Sequence, residues 1–491
     1  MKRRWTEEEL IERWTLGPDE LLLLANKTGA TRLGFAVLLR FFAGEGRFPR
    51  SKGEVPGQVV SYVGGQVGVP AEEYIRYDWQ GRTVKYHRSQ VRRYFGFREA
   101  TVEDGEAFAS WLAGEALPRE QDEDIVREAF YGRCRELKVE PPTEGRVGRL
   151  LASAFRRFEE DFCARVYEAL PDETTLKMDA LLASGEEDGV STGDHGSPVS
   201  WDRRRWVIGW LKADPGRVGL ESVLEEIEKL RRVREVGVPE GLFGGVSPKV
   251  LKAYRRRAAT ERPGELGAHA PEIRATLLTV LLWFRGREIT DSLVELLVQL
   301  VHRIGARAER RVEKEILEDL KRVNGKTNIL FRMAEAAVGR PDGTVREVLF
   351  PAVGEGTLRD LVKEAKSAGP VFRLNVHSRL VASYRGHYRR MLPLILEALE
   401  FRSNNVAHRP VIGALSVLKR YARSPARSYA SDEKVPLDGV VPSAWEDLIV
   451  SRSGSARVDR VGYEVCVLNA LRHALRRREV WVVGADRYRD P

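Results

Sequence analysis

Residues 291–323, DSLVELLVQLVHRIGARAERRVEKEILEDLKRV, place apolar side chains at Leu293, Leu296, Leu297, Leu300, Val301 and Ile304, then at Ile316, Leu317, Leu320 and Val323. Steps of three and four residues keep such positions on one face of an α-helix, whereas a strand would need strict alternation. Unbroken, this helix runs about 50 Å at about 1.5 Å per residue. The same period extends toward both ends of the chain. Thr6 before Glu7, Glu8 and Glu9 reads as an N-cap with an acidic first turn. Pro18 with Asp19 and Glu20 opens a second helix, and Thr31 to Phe42 reads as a third. Helices are further expected over Glu103–Leu112, Asp122–Leu137 and Glu144–Leu170. Strand-like runs are few, chiefly Glu347–Val353 and Glu479–Val483. The expected fold class is mostly α, in several domains.

A chain of 491 residues is too long for one compact core. The stretch 184–200, SGEEDGVSTGDHGSPVS, is polar, rich in Gly and Ser and free of Lys and Arg, which marks a linker. It separates an N-terminal helical region, 1–183, from a middle region, 201–423. Breaks at Ser424–Pro442 and Ser451–Ser455 set off a last segment, 424–491.

Hydrophobic residues make up 43% of the chain and charged residues 31%, the composition of a globular protein. Three cysteines, Cys134, Cys163 and Cys466, lie too far apart for a disulfide framework or a zinc site, so a reducing cytoplasm is expected. The opening MKRRWTEEEL turns acidic where a signal peptide needs an apolar stretch. Thr276 to Phe284 is about half the apolar length of a membrane span, so no membrane partner is expected.

Lys and Arg number 81 against 72 Asp and Glu, for a net charge of +9. The clustering of these charges matters more than their sum. Gly81–Arg98, GRTVKYHRSQVRRYFGFR, contains six Arg or Lys and no acid. On a helix, Val84, His87, Val91, Tyr94 and Phe95 share one face. Lys85, Arg88 and Arg92 take the adjoining face, flanked by Arg82 and Arg93. A helix apolar on one side and basic on the other suits groove or phosphate contact and suggests a helix-turn-helix-like DNA-binding module. Arg88 and Arg92 lead among the expected contacts because they adjoin the apolar face.

A second cluster comprises Arg385, Arg389 and Arg390, within a stretch from Gly369 up to Glu397 that holds five arginines and, before Glu397, no carboxylate. Basic and aromatic residues also mix at Trp201–Trp206, at Lys252–Arg257 and at Arg472–Arg478. A solvated helix face explains any single cluster equally well.

Catalytic and nucleotide motifs fail in turn. Gly325-Lys326-Thr327 ends like a phosphate-binding loop, but Leu320 stands where its first glycine belongs. Gly354-Glu355-Gly356 fits a turn. His387 and Arg390, with Tyr421 or Tyr429 downstream, outline a tyrosine recombinase, yet one such pair is expected by chance in a chain this rich in arginine. Asp486 ends a strand-like run without the companion carboxylates that a two-metal nuclease needs.

The chain resembles the N-terminal half of Tn3-family transposases. The blocks that carry the resemblance are ELLLLANKTGATRLGFAVLLRFFAGEGRFP, QVRRYFGFREAT, DPGRVGLESVLEEIEKL, HYRRMLPLILEALEFRSNNVAHRPVIGAL and YEVCVLNALRHALRRREVWVVGADRYRDP. The resemblance implies binding to double-stranded DNA at the terminal inverted repeats of a transposon. It also implies further DNA-contacting and dimerisation surfaces after the linker, with a second copy of the chain as a partner. It places the family's Asp-Asp-Glu triad and its magnesium beyond Pro491, so no cofactor and no cutting are expected of these residues alone. The competing class is a regulatory DNA-binding protein without a recombination role.

Overall fold

A computed structural model describes residues 4–182, 207–322, 324–426, 428–429, 432–451 and 457–490. The linker 184–200, the basic and aromatic group at 201–206 and most of the break at 451–455 lie outside the described residues. So do the side chains of Ile316, Leu317, Leu320 and Val323.

The fold is mostly helical. In chain order the helices are α1 Glu7–Trp14, α2 Pro18–Leu22, α3 Gly29–Glu45, α4 Gly57–Val67, α5 Arg82–Phe95, α6 Val102–Trp111, α7 Glu123–Glu136, α8 Glu144–Glu168, α9 Asp172–Leu182 and α10 Val207–Lys212. They continue as α11 Leu220–Val236, α12 Pro248–Thr260, α13 Pro263–Ala268, α14 Pro271–Arg322, α15 Asn324–Gly339, α16 Val345–Val353 and α17 Glu355–Ser383. The last four are α18 Met391–Ala398, α19 Arg409–Tyr421, α20 Ser443–Ile449 and α21 Arg460–Arg476. Strands occur only as short pairs among the described residues. β1 Arg98–Glu99 runs parallel to β2 Val139–Glu140, β3 Phe401–Arg402 runs antiparallel to β6 Trp481–Val482, and β4 Val450–Ser451 runs antiparallel to β5 Arg457–Val458.

Local chemistry accounts for these boundaries. Thr6 caps α1 in a capping box with Glu9. Asp122 caps α7 by accepting from the amides of Asp124 and Ile125. The run Glu347–Val353, expected as a strand, is the body of α16. The capping box between Thr344 and Glu347 starts a helical turn there, and that local pairing outweighs the β-branched composition. The helix expected from Asp291 begins earlier, at Pro271, so α14 has 52 residues and a length of about 78 Å.

The chain divides into two compact units, the first comprising Met1–Pro171, Pro239–Glu261 and Ala268–Leu277, the second comprising the rest. In the first unit α3 is the central element, with Leu33, Phe35, Val37, Leu38, Leu39 and Phe41 fully buried. Trp5, Trp14, Val59, Val63, Tyr77, Val84 and Val91 pack in the same cluster. In the second unit α14 buries Leu278, Leu281, Leu293, Leu297 and Leu300, and α21 buries Tyr463, Val467, Leu471 and Leu475. The ion pair between Glu226 and Lys229, 2.6 Å, is wholly buried on α11. No helix among the described residues is long and apolar enough to cross a membrane.

Candidate nucleic-acid interface

The basic segment Arg82–Phe95 forms a helix, α5, and the core fixes which way it faces. Val84, His87 and Val91 are its buried residues. Burial of these three orients the whole helix, since each lies one turn from the next. The His87 ring stacks edge-on against Phe35 of α3, with centroids 5.0 Å apart. Its Nδ1 lies 2.8 Å from the Tyr77 hydroxyl. Tyr77 in turn lies flat on Gly34, where a Cβ would stand 2.4 Å from the ring, so only glycine allows this approach. Burial and the nearby charge of Lys27 push the His87 imidazole down to about 4, and the helix is anchored by a neutral ring. Gly96 ends α5 in the left-handed region at φ 72°, donating its amide to the carbonyls of Arg92 and Arg93.

The outer face departs in part from the expected one. Arg82, Lys85 and Arg93 are exposed and have no ion-pair partner among the described residues. Arg88 is half-buried, with its guanidinium 5.1 Å from the Phe48 ring centroid. Arg92 is engaged internally. The parallel pairing of β1 and β2 brings Glu99 beside Glu140, and the Arg92 guanidinium bonds to both, at 2.6 Å for Glu140. Burial pushes the Glu140 carboxyl up, against the pull of Arg92. Nothing in the order of residues announces this clamp, because Glu140 lies far along the chain. Tyr94, expected on the apolar face, is 42% exposed, and so is Tyr86 beside Lys85 at 61%. Two exposed aromatic rings therefore stand on the same helix, to one side of the free cations. Arg82 and Lys85 stand in the first turn of α5, which holds no acid, where the helix dipole disfavours a cation unless an anion approaches. Between α4 and α5 lie residues 68–81, longer than the tight turn of a helix-turn-helix unit.

The second basic group sits on a π-turn, Tyr384–Tyr388, between α17 and α18. Arg385 and Arg390 are exposed. Arg389 turns inward and binds Glu464 with two hydrogen bonds, 2.8 and 2.9 Å. Glu464, 1% exposed, also accepts from Arg460, which donates to the carbonyls of Tyr421, Ser424 and Ala426. The arginines between Gly369 and Glu397 thus find carboxylates at a distance, Glu464 for Arg389 and Glu315 for Arg379 at 2.8 Å. Tyr429 is buried and burial holds its hydroxyl protonated, which speaks against a tyrosine nucleophile.

The other mixed clusters divide in the same way. On α12, Arg257 pairs with Glu159 at 2.7 Å while Lys252 and Arg256 are exposed. Arg477 pairs with Glu479 at 2.9 Å. Asp486 pairs with Arg287 at 3.1 Å. Among the described residues no group of three or more His, Cys, Asp or Glu is arranged to hold a metal ion.

Residues 1–154 match a family model described as a domain of unknown function, DUF4158. Over nearly its whole length the chain is similar to curated transposases. It is 25% identical over 493 residues to the transposase for transposon Tn21 of Escherichia coli, covering 99% of this chain and 47% of that protein. The relatives it is similar to are transposases of the Tn3 family. The transposase for Tn501 of Pseudomonas aeruginosa is 24% identical, covering 99% of this chain and 47% of its own length. That for transposon gamma-delta of Escherichia coli strain K12 is 23% identical, covering 98% and 46%. The chain spans about half the length of the curated relatives it matches, 47% for the first two.

Proposed function

We propose that this chain binds double-stranded DNA at the terminal inverted repeats of a transposon, as part of the transposition machinery, in a cytoplasm that keeps its three buried thiols reduced. The observation that carries the reading is the outer face of α5. Arg82, Lys85 and Arg93 stand exposed without acid partners among the described residues, with the exposed Tyr86 and Tyr94 on the same helix, whose other face is fixed by His87 and Val91. Exposed cations supply phosphate contacts, and a rigidly seated helix brings the same residues to the same groove each time. Arg88 lends its charge from a half-buried position, and Arg92 holds the helix end in place. Arg385 and Arg390 are a further contact group, and the middle region is where a second copy of the chain would associate.

The test is a titration of repeat-bearing and scrambled duplexes across a salt series. Affinity falls with salt, with a log–log slope of about −0.9 per phosphate neutralised, and the repeat duplex binds more tightly. Equal affinity for both duplexes at every salt concentration would overturn the reading.

A further inference from the structure

We infer that the second unit holds a small-molecule site, a pocket of about 820 Å³ that takes an organic anion with an apolar body. The inference stands apart from the DNA-binding reading and does not depend on it. Helices α14 and α21 line the pocket, and their sequences make room for it. Gly305 and Ala306 on the one, with Ala470 and Ala474 on the other, put at most a methyl group where a leucine would fill the space. The sides are apolar, with Val376 and Leu380 from α17, Val411 from α19 and the half-buried Trp445 from α20. Clefts of about 300–1,000 Å³ with mostly apolar walls are where proteins hold small ligands, and a few polar groups set the ligand's orientation.

One of those polar groups lacks a partner. Arg472 lines the pocket half-buried, its Nε is wholly enclosed, and no carbonyl or carboxylate among the described residues meets its guanidinium. Burial and the neighbouring charge of Arg476 press on that cation. A buried donor without an acceptor costs free energy, which an incoming carboxylate or phosphate recovers. Asn469, nearly one turn earlier on α21, adds an unpaired amide to the same wall. Desolvation, together with Arg472, Arg477 and Arg476, holds the His473 ring below its ordinary value, so it stands at the pocket as a neutral donor. The nearby acids leave Arg472 unmatched. Glu309 is exposed on α14, and Glu479 is engaged by Arg477 at 2.9 Å and approached by His408 at 3.6 Å. A phosphate backbone gains nothing from the apolar sides, so the fit is to one charged head on a hydrophobic body.

The experiment titrates the full chain with anilinonaphthalene sulfonate, an anion on aromatic rings, and follows the probe's fluorescence. Saturable binding of one probe per chain is expected. Decanoate and decyl phosphate should displace it while decanol, with the same apolar body and no charge, should not, and the stronger of the two anions identifies the head group. Arg472→Gln should weaken probe binding by about tenfold or more, the effect of losing a charge-assisted hydrogen bond. Ala470→Phe fills the pocket from α21 and should abolish binding, and Ala306→Phe repeats the block from α14. Circular dichroism and thermal melting check the fold of each variant. The proposal is overturned by the absence of saturable binding to the unmodified chain, or by unchanged binding in a folded Arg472→Gln or in both folded phenylalanine variants. Displacement by decanol or by a DNA duplex as strong as that by decanoate overturns it as well.

Discussion

Arginines with the same neighbours in the chain do different work here, and the difference is where their carboxylates sit. Arg92 and Arg93 are adjacent, yet Arg92 is clamped by Glu99 and Glu140 while Arg93 points into solvent. Arg93→Ala, Arg82→Ala and Lys85→Ala should each change folding stability by only a few tenths of a kcal/mol while weakening duplex binding. Arg92→Ala leaves the partly buried Glu140 without its charged donor and should cost about 1–3 kcal/mol. Denaturant midpoints set beside binding titrations separate the two kinds of residue, and an Arg92→Ala protein of unchanged stability would refute the clamp. His87 sets a pH limit on the same helix. Its folded value is about 4 against an ordinary 6.5, so the native state binds fewer protons than the unfolded one over that interval. Stability is full above the ordinary value and falls by about 3 kcal/mol as pH drops through the window. Denaturation at about pH 7 and about pH 4.5 should show the loss, and His87→Leu should flatten it.

At the scale of elements, periodicity and caps carried most of the fold. The helices around Glu103, Asp122 and Glu144 appear within a residue or two of their expected bounds, because their capping residues and apolar steps are local signals. Where local signals compete, the Val, Leu and Phe of 347–353 favour a strand, but the capping box of Thr344 with Glu347 starts a helix. The partners of Arg92 and Arg389 were not legible, since ion pairs between residues dozens of positions apart depend on tertiary packing. The group of Arg389, Arg460 and Glu464 ties the π-turn after α17 to α21. Glu464→Gln removes the one carboxylate between two guanidinium groups in the core and should destabilise the chain by about 3–5 kcal/mol. A denaturant midpoint unchanged by that substitution would mean the arginines are neutralised elsewhere.

At the scale of the whole molecule, the proposed binding of DNA is separate from its cleavage. Strand cleavage by the family's chemistry needs carboxylates that converge on divalent metal, and the acids that do meet near the end of α21 and β6 are occupied. Asp486 is paired with Arg287, and Asp291 accepts from the main-chain amides of Asp486, Arg487 and Tyr488 at 3.0–3.3 Å. Adding magnesium or manganese to the protein with repeat-bearing duplex should give binding without nicks on a denaturing gel. Nicking abolished by substitution of one of these 491 residues would reveal a site in the chain itself. The Asp291 contact has a further meaning for how this region tolerates change. A carboxylate that grips peptide N–H groups is indifferent to the side chains above them, so this contact constrains the main chain at 486–488 and the carboxylate at 291, and excludes only proline from the three positions it grips.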